Sequence, residues 1–220
     1  MLNLTTGTHV EFTAALCRSA ALKPGGQFAT FTLAGEFERP RGEGEPVRTV
    51  FYQRAVASGR LAARLGTLGA GEAVTGTGVL ATLDGELVVA VQEAARLPHD
   101  PVRLELDGRG GARLLLARFR VGARGVLISE PSSERLENGV PVANARLGLT
   151  PRREGEGAPG QLVPVELAAY GDFAELLREQ AKGSYLKVWG LLQHRQGTQQ
   201  RFTRLEMLDA EVLHETRALV

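Results

Sequence analysis

AYGDFAELL, residues Ala169 to Leu177, sets a glycine directly in front of a segment whose apolar residues Phe173, Ala174, Leu176 and Leu177 fit one face of a helix. The stretch before it, LVPVELAAY, has the apolar and aromatic content of a strand in Leu162, Val163, Val165, Leu167 and Tyr170. Asp172, just after the glycine, is placed to cap the helix by accepting backbone N–H bonds, and Glu175 lies in the first turn, where negative charge is favoured. Beyond the helix, KGSYLKVWGLLQHR alternates again, with Leu186, Val188 and, past Gly190, Leu191 and Leu192. The unit reads strand, glycine, short helix, strand.

The same unit recurs upstream, which decides the architecture. ASGRLAARL, Ala57 to Leu65, slid forward by 112 residues (169 − 57), superposes Gly59 on Gly171, Ala62 on Ala174 and Leu65 on Leu177 without a gap. The register continues through Gly71 on Gly183, Gly78 on Gly190 and Leu80 on Leu192. With an offset of 114 (142 − 28), FATFTLA (Phe28 to Ala34) lies over VANARLG (Val142 to Gly148). The two-residue slip falls in a polar, glycine-rich loop, RGEGEP (Arg41 to Pro46) in one half and REGEGAPG (Arg153 to Gly160) in the other. The chain is a tandem duplication.

With 220 residues, each half has roughly 100 residues, enough to bury its own core. The hydrophobic share of 43% is normal for a soluble chain, and no apolar run approaches the ~20 residues needed to span a bilayer. MLNLTTGTHVEF has neither the basic start nor the hydrophobic core of a signal peptide, so the cytoplasm is the expected location and a membrane is not an expected partner. Cys17 stands alone, which excludes an intramolecular disulfide and a cysteine-based zinc site. A net charge of +1 leaves nucleic-acid binding open, because positive charge can concentrate in a groove while the acidic loops balance it.

The first half predicts strands at His9 to Arg18, Gln27 to Glu36, Arg48 to Ser58, Glu72 to Thr82 and Glu86 to Ala94, with a helix at Arg60 to Leu68. The second predicts strands at Ala112 to Val121, Pro141 to Thr150, Leu162 to Tyr170, Ser184 to Arg195 and Gln200 to Leu213, with a helix at Asp172 to Gln180. Five strands with one helix between the third and fourth is the order of the OB-fold, a five-stranded Greek-key barrel that binds oligonucleotides and oligosaccharides. The expected class is all-β with short helices: two tandem barrels at 1–96 and 112–220, joined by LPHDPVRLELDGRGG, residues 97–111, as a linker. VRLEL within it can form a short strand that pairs with either barrel or with another copy of the chain.

HVEFTAALCRSAALKPGGQFATFTLAGE (His9 to Glu36) resembles the opening of bacterial single-stranded DNA-binding proteins. FYQRAVASGRLAARLGTLGAGEAVTGTGVL (Phe51 to Leu80) and VELAAYGDFAELLREQAKGSYLKVWGLLQHR (Val165 to Arg195) both resemble that family's most recognisable segment: strand, glycine, helix, glycine turn and a strand with a second glycine. The resemblance covers nearly the whole chain and is to the variety with two OB-folds per polypeptide. It implies largely sequence-independent, non-enzymatic binding of single-stranded DNA in replication, recombination or repair. It also implies a homodimer presenting four barrels, with replication or repair proteins as possible partners.

Such barrels combine stacking aromatics with a basic groove. By resemblance, Tyr52 and Tyr170 occupy stacking positions, and Phe37 and Phe202 lie near two more; the alternative for each is a ring packed in the barrel. Trp189 alternates with Tyr185 and Lys187, a face suited either to ligand or to a subunit contact. The candidate phosphate contacts are Arg18, Arg54, Arg60, Arg118, Arg120 and Arg195, with Arg39 and Arg41 bordering the acidic loop. Three departures stand out. Ser58 replaces Tyr170 in the first half, Pro164 replaces Tyr52 in the second, and ETRALV is unlike the family's glycine-rich tail with an acidic tip. They point to an accessory paralogue, or to an interaction module derived from the same fold with weak or no DNA binding. Stacking does not distinguish sugars, so RNA is a further option.

No catalytic site is expected. His9, His99, His194 and His214 lack metal-site spacing, TGTGVL (Thr75 to Leu80) lacks both nucleotide-loop fingerprints, and no nucleophile, base and acid set or paired carboxylates stand out. Neither a metal nor another cofactor is expected.

Overall fold

The computed structural model describes residues 2–41, 44–98, 103–151, 162–196 and 201–213, with side chains at 39–41, 44, 46, 194–196, 201 and 202 outside the description. It divides into two compact units. One is built from His9–Arg120; the other runs from Val121 onward and includes Asn3–Thr8.

The chain opens with β1 (Leu2–Leu4), followed by the strands of the first unit, β2 (Thr8–Leu16), β3 (Ala21–Leu22), β4 (Phe28–Arg41) and β5 (Gly44–Ser58). Then come α1 (Gly59–Leu65), β6 (Ala73–Leu83), β7 (Glu86–Arg96), β8 (Leu104–Leu106) and β9 (Ala112–Leu114). Five strands close a ring: β2 pairs antiparallel with β4, β4 with β5, β5 runs parallel to β7, β7 pairs antiparallel with β6, and β6 returns to β2. Alternation drives closure. Val10, Phe12 and Ala14 of β2 are buried while His9 and Glu11, which alternate with them, are exposed. Fully buried Leu16, Leu33 and Leu80 join them, each burial contributing about 1.5–3 kcal/mol.

The second unit repeats the ring with β10 (Arg118–Leu127), β12 (Pro141–Leu149), β13 (Val163–Tyr170), α2 (Asp172–Arg178), β14 (Tyr185–Gln196) and β15 (Arg201–Leu213), adding β11 (Ser132–Arg135) as a hairpin partner of β12. Here β10 pairs antiparallel with β12, β12 with β13, β13 runs parallel to β15, β15 pairs antiparallel with β14, and β14 returns to β10. Residues Asn3–Thr8 complete this unit: Thr6 N–H donates to Thr150 O at 2.8 Å, Arg124 N–H donates to Gly7 O at 2.8 Å, and Thr5 bridges to Pro151.

The duplication found in the sequence is reproduced in the hydrogen bonds. Ala34 lies opposite Tyr52 in β4–β5 and Gly148 opposite Pro164 in β12–β13, which are the offsets 114 (148 − 34) and 112 (164 − 52). The glycine before each helix has one job. Gly59 and Gly171 both have φ +59°, a backbone turn that side chains disfavour, and each N–H closes the turn onto the equivalent carbonyl, Gln27 at 2.8 Å and Pro141 at 3.0 Å. Gly78 and Gly190 do another. Each sits at a β-bulge where an added Cβ would lie 2.5 Å from Ala90 O or 1.9 Å from Glu206 O.

The structure differs from the sequence reading in four places. The segment expected as a linker contains β8, which forms a hairpin with β9; β9 runs beside β4, with Leu114 at the register of Gly35. The second unit's first strand is β10, not Ala112 to Val121: the apolar run RLLLARF breaks at Leu116, whose φ is +57°. Asp172 does not cap α2; Gly171 is the N-cap residue, its carbonyl accepting from Ala174 N–H at 2.9 Å and Glu175 N–H at 3.3 Å, and Asp172 begins the helix. The short strands β3 and β11 are too brief for alternation to reveal.

Candidate nucleic-acid interface

In the second unit, the register places Asn144 and Arg146 of β12, Glu166, Ala168 and Tyr170 of β13, and Arg204 and Glu206 of β15 on one outward side. Arg146 Nε donates to Glu166 Oε1 at 2.7 Å. Tyr170 is the centre of a larger network. Arg204 Nη2 donates to the Tyr170 hydroxyl at 2.5 Å, and its guanidinium lies 5.8 Å from the ring centroid, within cation–π range. The same guanidinium donates to Gln193 Oε1 at 3.1 and 3.3 Å, and the Gln193 amide donates to the buried carboxylate of Glu206. A half-buried aromatic is thus held in one orientation by a chain of hydrogen bonds anchored on a buried acid.

A second aromatic surface lies on β10–β14–β15. Tyr185, Lys187 and Trp189 alternate outward while Leu186 and Val188 are fully buried. Lys187 Nζ sits 4.2 Å from the Trp189 ring and pairs with Glu211 at 3.5 Å, and Gly122 lies opposite Trp189 on β10.

The first unit carries a different surface. The registers match Tyr170 to Ser58, Gln193 to Ala81, Arg204 to Val88 and Glu206 to Ala90, so none of the Tyr170 network is repeated. Tyr52 is half-buried on the outer side of β5, and its hydroxyl donates to Asp107 Oδ2 at 3.0 Å. Burial, and then that hydrogen bond, pushes the phenol above its ordinary value. Asp107 Oδ1 accepts from the backbone N–H of Gly111 at 2.7 Å and Arg109 at 2.8 Å, and these two bonds hold its carboxyl below the usual range. Arg113 of β9 reaches Glu105 at 2.8 Å and Glu36 at 3.6 Å, Arg48 adding a contact to Glu36 at 3.5 Å.

The structure gathers some of the expected residues and separates others. Phe37 and Tyr52 lie on opposite sides of β4–β5: Phe37 shares a side with Gly35 and Phe51, its ring 6.1 Å from Phe51, which in turn is 5.0 Å from Phe119. Arg54 is two residues from Tyr52 on the same outer side and pairs with Glu86. Arg18, Arg60, Arg118 and Arg120 are exposed. Arg195 and Phe202 lie opposite each other in the β14–β15 ladder, and their side chains, like those of Arg39, Arg41 and His194, lie outside the described residues; so do His99 and His214 altogether. Arg204, Gln193, Glu206, Asp107 and Arg113 were missed by sequence reasoning. Arg204 carried one faint signal, its position two residues after Phe202 on an alternating strand. Among the described residues, no group of three or more His, Cys, Asp or Glu side chains could hold a metal ion, and no helix is long and apolar enough to cross a membrane.

Among solved structures, the wild-type single-stranded DNA binding protein from Thermus aquaticus is similar with a TM-score of 0.73 and 23% identity, covering 97% of this chain and 96% of that one. A deletion mutant of the same protein gives a TM-score of 0.72 and 24% identity, covering 94% of this chain and 95% of that one. The fold is two OB-folds in tandem. No family model matches the chain, and no curated protein does. In the OB-fold, the outward side of the second and third strands is one of the ligand-binding surfaces, and here that side carries Tyr52 and Arg54 in one barrel and Tyr170 in the other.

Proposed function

We propose that this chain is a non-enzymatic binder of single-stranded DNA, largely indifferent to sequence, acting in replication, recombination or repair. The observation that carries the reading is the likeness in fold to a single-stranded DNA-binding protein over both barrels and nearly the full length of each chain. Bases stack on Tyr170, whose orientation Arg204 fixes, and on Trp189; Tyr52, Phe37 and Phe202 are lesser platforms. Arg18, Arg54, Arg60, Arg118, Arg120 and Arg195 neutralise phosphates, joined by Arg204. The protein works in the cytoplasm as a homodimer presenting four barrels, with replication or repair proteins as further partners.

One observation favours a second reading for the first barrel. Tyr52 spends its hydroxyl on Asp107 of the β8–β9 hairpin, as a protein-interaction module would that no longer used this ring for ligand.

The test is a fluorescence-anisotropy titration with labelled oligo-dT of about 35 nucleotides, at low and moderate salt, with duplex and oligo-U of equal length alongside. The reading expects tight binding to the DNA single strand that weakens steeply with salt and drops in Tyr170→Ala. Preference for duplex would sink it, absence of binding at low salt would favour the interaction module, and preference for oligo-U would reassign the ligand to RNA.

A further inference from the structure

Tyr52 and Tyr170 use their hydroxyl groups in opposite ways. Tyr52 donates to Asp107 Oδ2 at 3.0 Å, so its proton is spent within the protein and a carboxylate stands beside it. Tyr170 accepts instead. Arginine carries donors only, so the 2.5 Å bond from Arg204 Nη2 ends on the Tyr170 oxygen, and the phenol's own proton points away from the guanidinium. Among the described residues nothing accepts that proton.

Arg204 is held in place without a carboxylate. Arg54, Arg96, Arg113 and Arg146 each pair with a glutamate, whereas no carboxylate among the described residues pairs with Arg204. Glu166, its register neighbour on β13, accepts from Arg146, and the Gln193 amide lies between the guanidinium and Glu206. The Nε–Nη2 edge of the fork faces Gln193 Oε1, so the bond to Tyr170 lies on the other edge, which Nη2 shares with Nη1. Nη1 has no partner among the described residues. An oxygen that accepts from Nη1 on that edge comes to lie next to the Tyr170 oxygen, within reach of its proton. At 5.8 Å from the ring centroid, the guanidinium sits off the hydroxyl end of the ring and covers neither face.

We infer that the Tyr170 hydroxyl and Arg204 Nη1 form a two-donor seat for one backbone phosphate of the bound strand, so that Tyr170 serves the ligand with its edge as well as its face. This role rests on the single-strand binding proposed above. Accepting from a cation polarises the phenol and strengthens it as a donor, and a phosphodiester, with one negative charge over two free oxygens, can take both donors. Gln193, anchored on buried Glu206, keeps the fork in shape before the strand arrives, which lowers the cost of ordering it. A seat of this kind reads backbone and no base edge, in keeping with indifference to sequence. The first barrel has no counterpart at Tyr52: its proton is given to Asp107, and that carboxylate repels a phosphate.

Fluorescence anisotropy of the full chain at low salt tests the seat with two labelled probes of about 35 nucleotides, oligo-dT and an abasic deoxyribose-phosphate strand. Tyr170→Phe keeps the ring and removes only the hydroxyl. It should retain the wild-type circular dichroism spectrum and lose at least about fivefold in affinity for both probes, by the same factor. Unchanged affinity for both would overturn the seat and leave Tyr170 a stacking ring alone. A loss confined to oligo-dT would overturn it too, giving the hydroxyl to a base edge. Arg204→Lys, which keeps the charge and loses the fork, should bind the abasic strand at least about threefold more weakly, and wild-type affinity in that variant would equally overturn it. Tyr52→Phe should bind the abasic strand within about twofold of wild type; a loss as large as that of Tyr170→Phe would overturn the contrast between the barrels. A wild type that binds oligo-dT and not the abasic strand removes the seat alone, whereas one that binds neither removes the single-strand reading and the seat with it.

Discussion

Alanine at Gly190 should unfold the second barrel selectively. The Cβ it introduces would lie 1.9 Å from Glu206 O and 2.9 Å from Glu206 C, about 1.5 Å short of an ordinary van der Waals contact. That carbonyl belongs to the β14–β15 ladder at a bulge, so relief requires the two strands to separate where they are most tightly opposed. Overpacking of this kind costs about 1–3 kcal/mol. Displacing Glu206 also takes its buried carboxylate from the Gln193 amide, a further cost of about 1–3 kcal/mol. The sum, about 2–6 kcal/mol, lowers the urea midpoint by about 1–3 M for an m-value near 2 kcal/mol/M. Trp189, the only tryptophan in the chain, adjoins the substitution and reports on this barrel alone, while circular dichroism follows both. Gly171→Ala is the comparison: its Cβ meets nothing within 4 Å, so only the φ of +59° is penalised, at about 1–3 kcal/mol. A Gly190→Ala protein whose tryptophan transition keeps the wild-type midpoint would refute the reasoning.

Four further outcomes follow from the same geometry. Leu116, 75% exposed at φ +57°, should give way to asparagine with a gain of about 0.5–1 kcal/mol, read as a raised thermal midpoint. The phenol of Tyr52 is raised in the folded state, so its contribution is complete below the ordinary phenol value near pH 10 and is lost as pH climbs through the folded value; Tyr52→Phe should be less sensitive to alkali in urea titrations. Asp107 is lowered, so its contribution is present above the ordinary carboxylate range near pH 4 and disappears as pH falls through the folded value, and Asp107→Asn should flatten that acid limb. Arg204→Met should weaken binding of oligo-dT and reduce the slope of log affinity against log salt by about 0.7, the share of one phosphate contact; an unchanged slope would remove Arg204 from the interface.

How legible was all this in the chain? The glycines were legible because each is demanded by a local event, a turn at φ +59° or a bulge, that recurs in both halves and so announces itself as a repeat. The barrel strands were legible for a similar reason, since alternation is a property of each strand by itself. The β8–β9 hairpin was not: LEL is too short to show a period, and the prolines and glycines around it read as linker. Nor were the site's partners. Tyr52 meets Asp107 across 55 residues and Tyr170 meets Arg204 across 34, contacts made by the packing of distant segments and not by any neighbouring sequence. The resemblance singled out these rings from the sequence; whether a given tyrosine is tethered, and by what, depends on residues that carry no motif.

The second barrel's use of Asn3–Thr8 orders events during synthesis. These residues leave the ribosome before any strand of the first barrel, yet the acceptor of Thr6, the Thr150 carbonyl, follows 144 residues later. At about 5–20 residues per second, that is a wait of roughly 7–30 seconds, ample for the first barrel to fold before Thr6 meets its acceptor. Closing so long a loop costs little more entropy than closing a moderate one, so the delay is one of timing and not of stability. Thr6, made among the first residues of the chain, is thus among the last parts of the second unit to be seated.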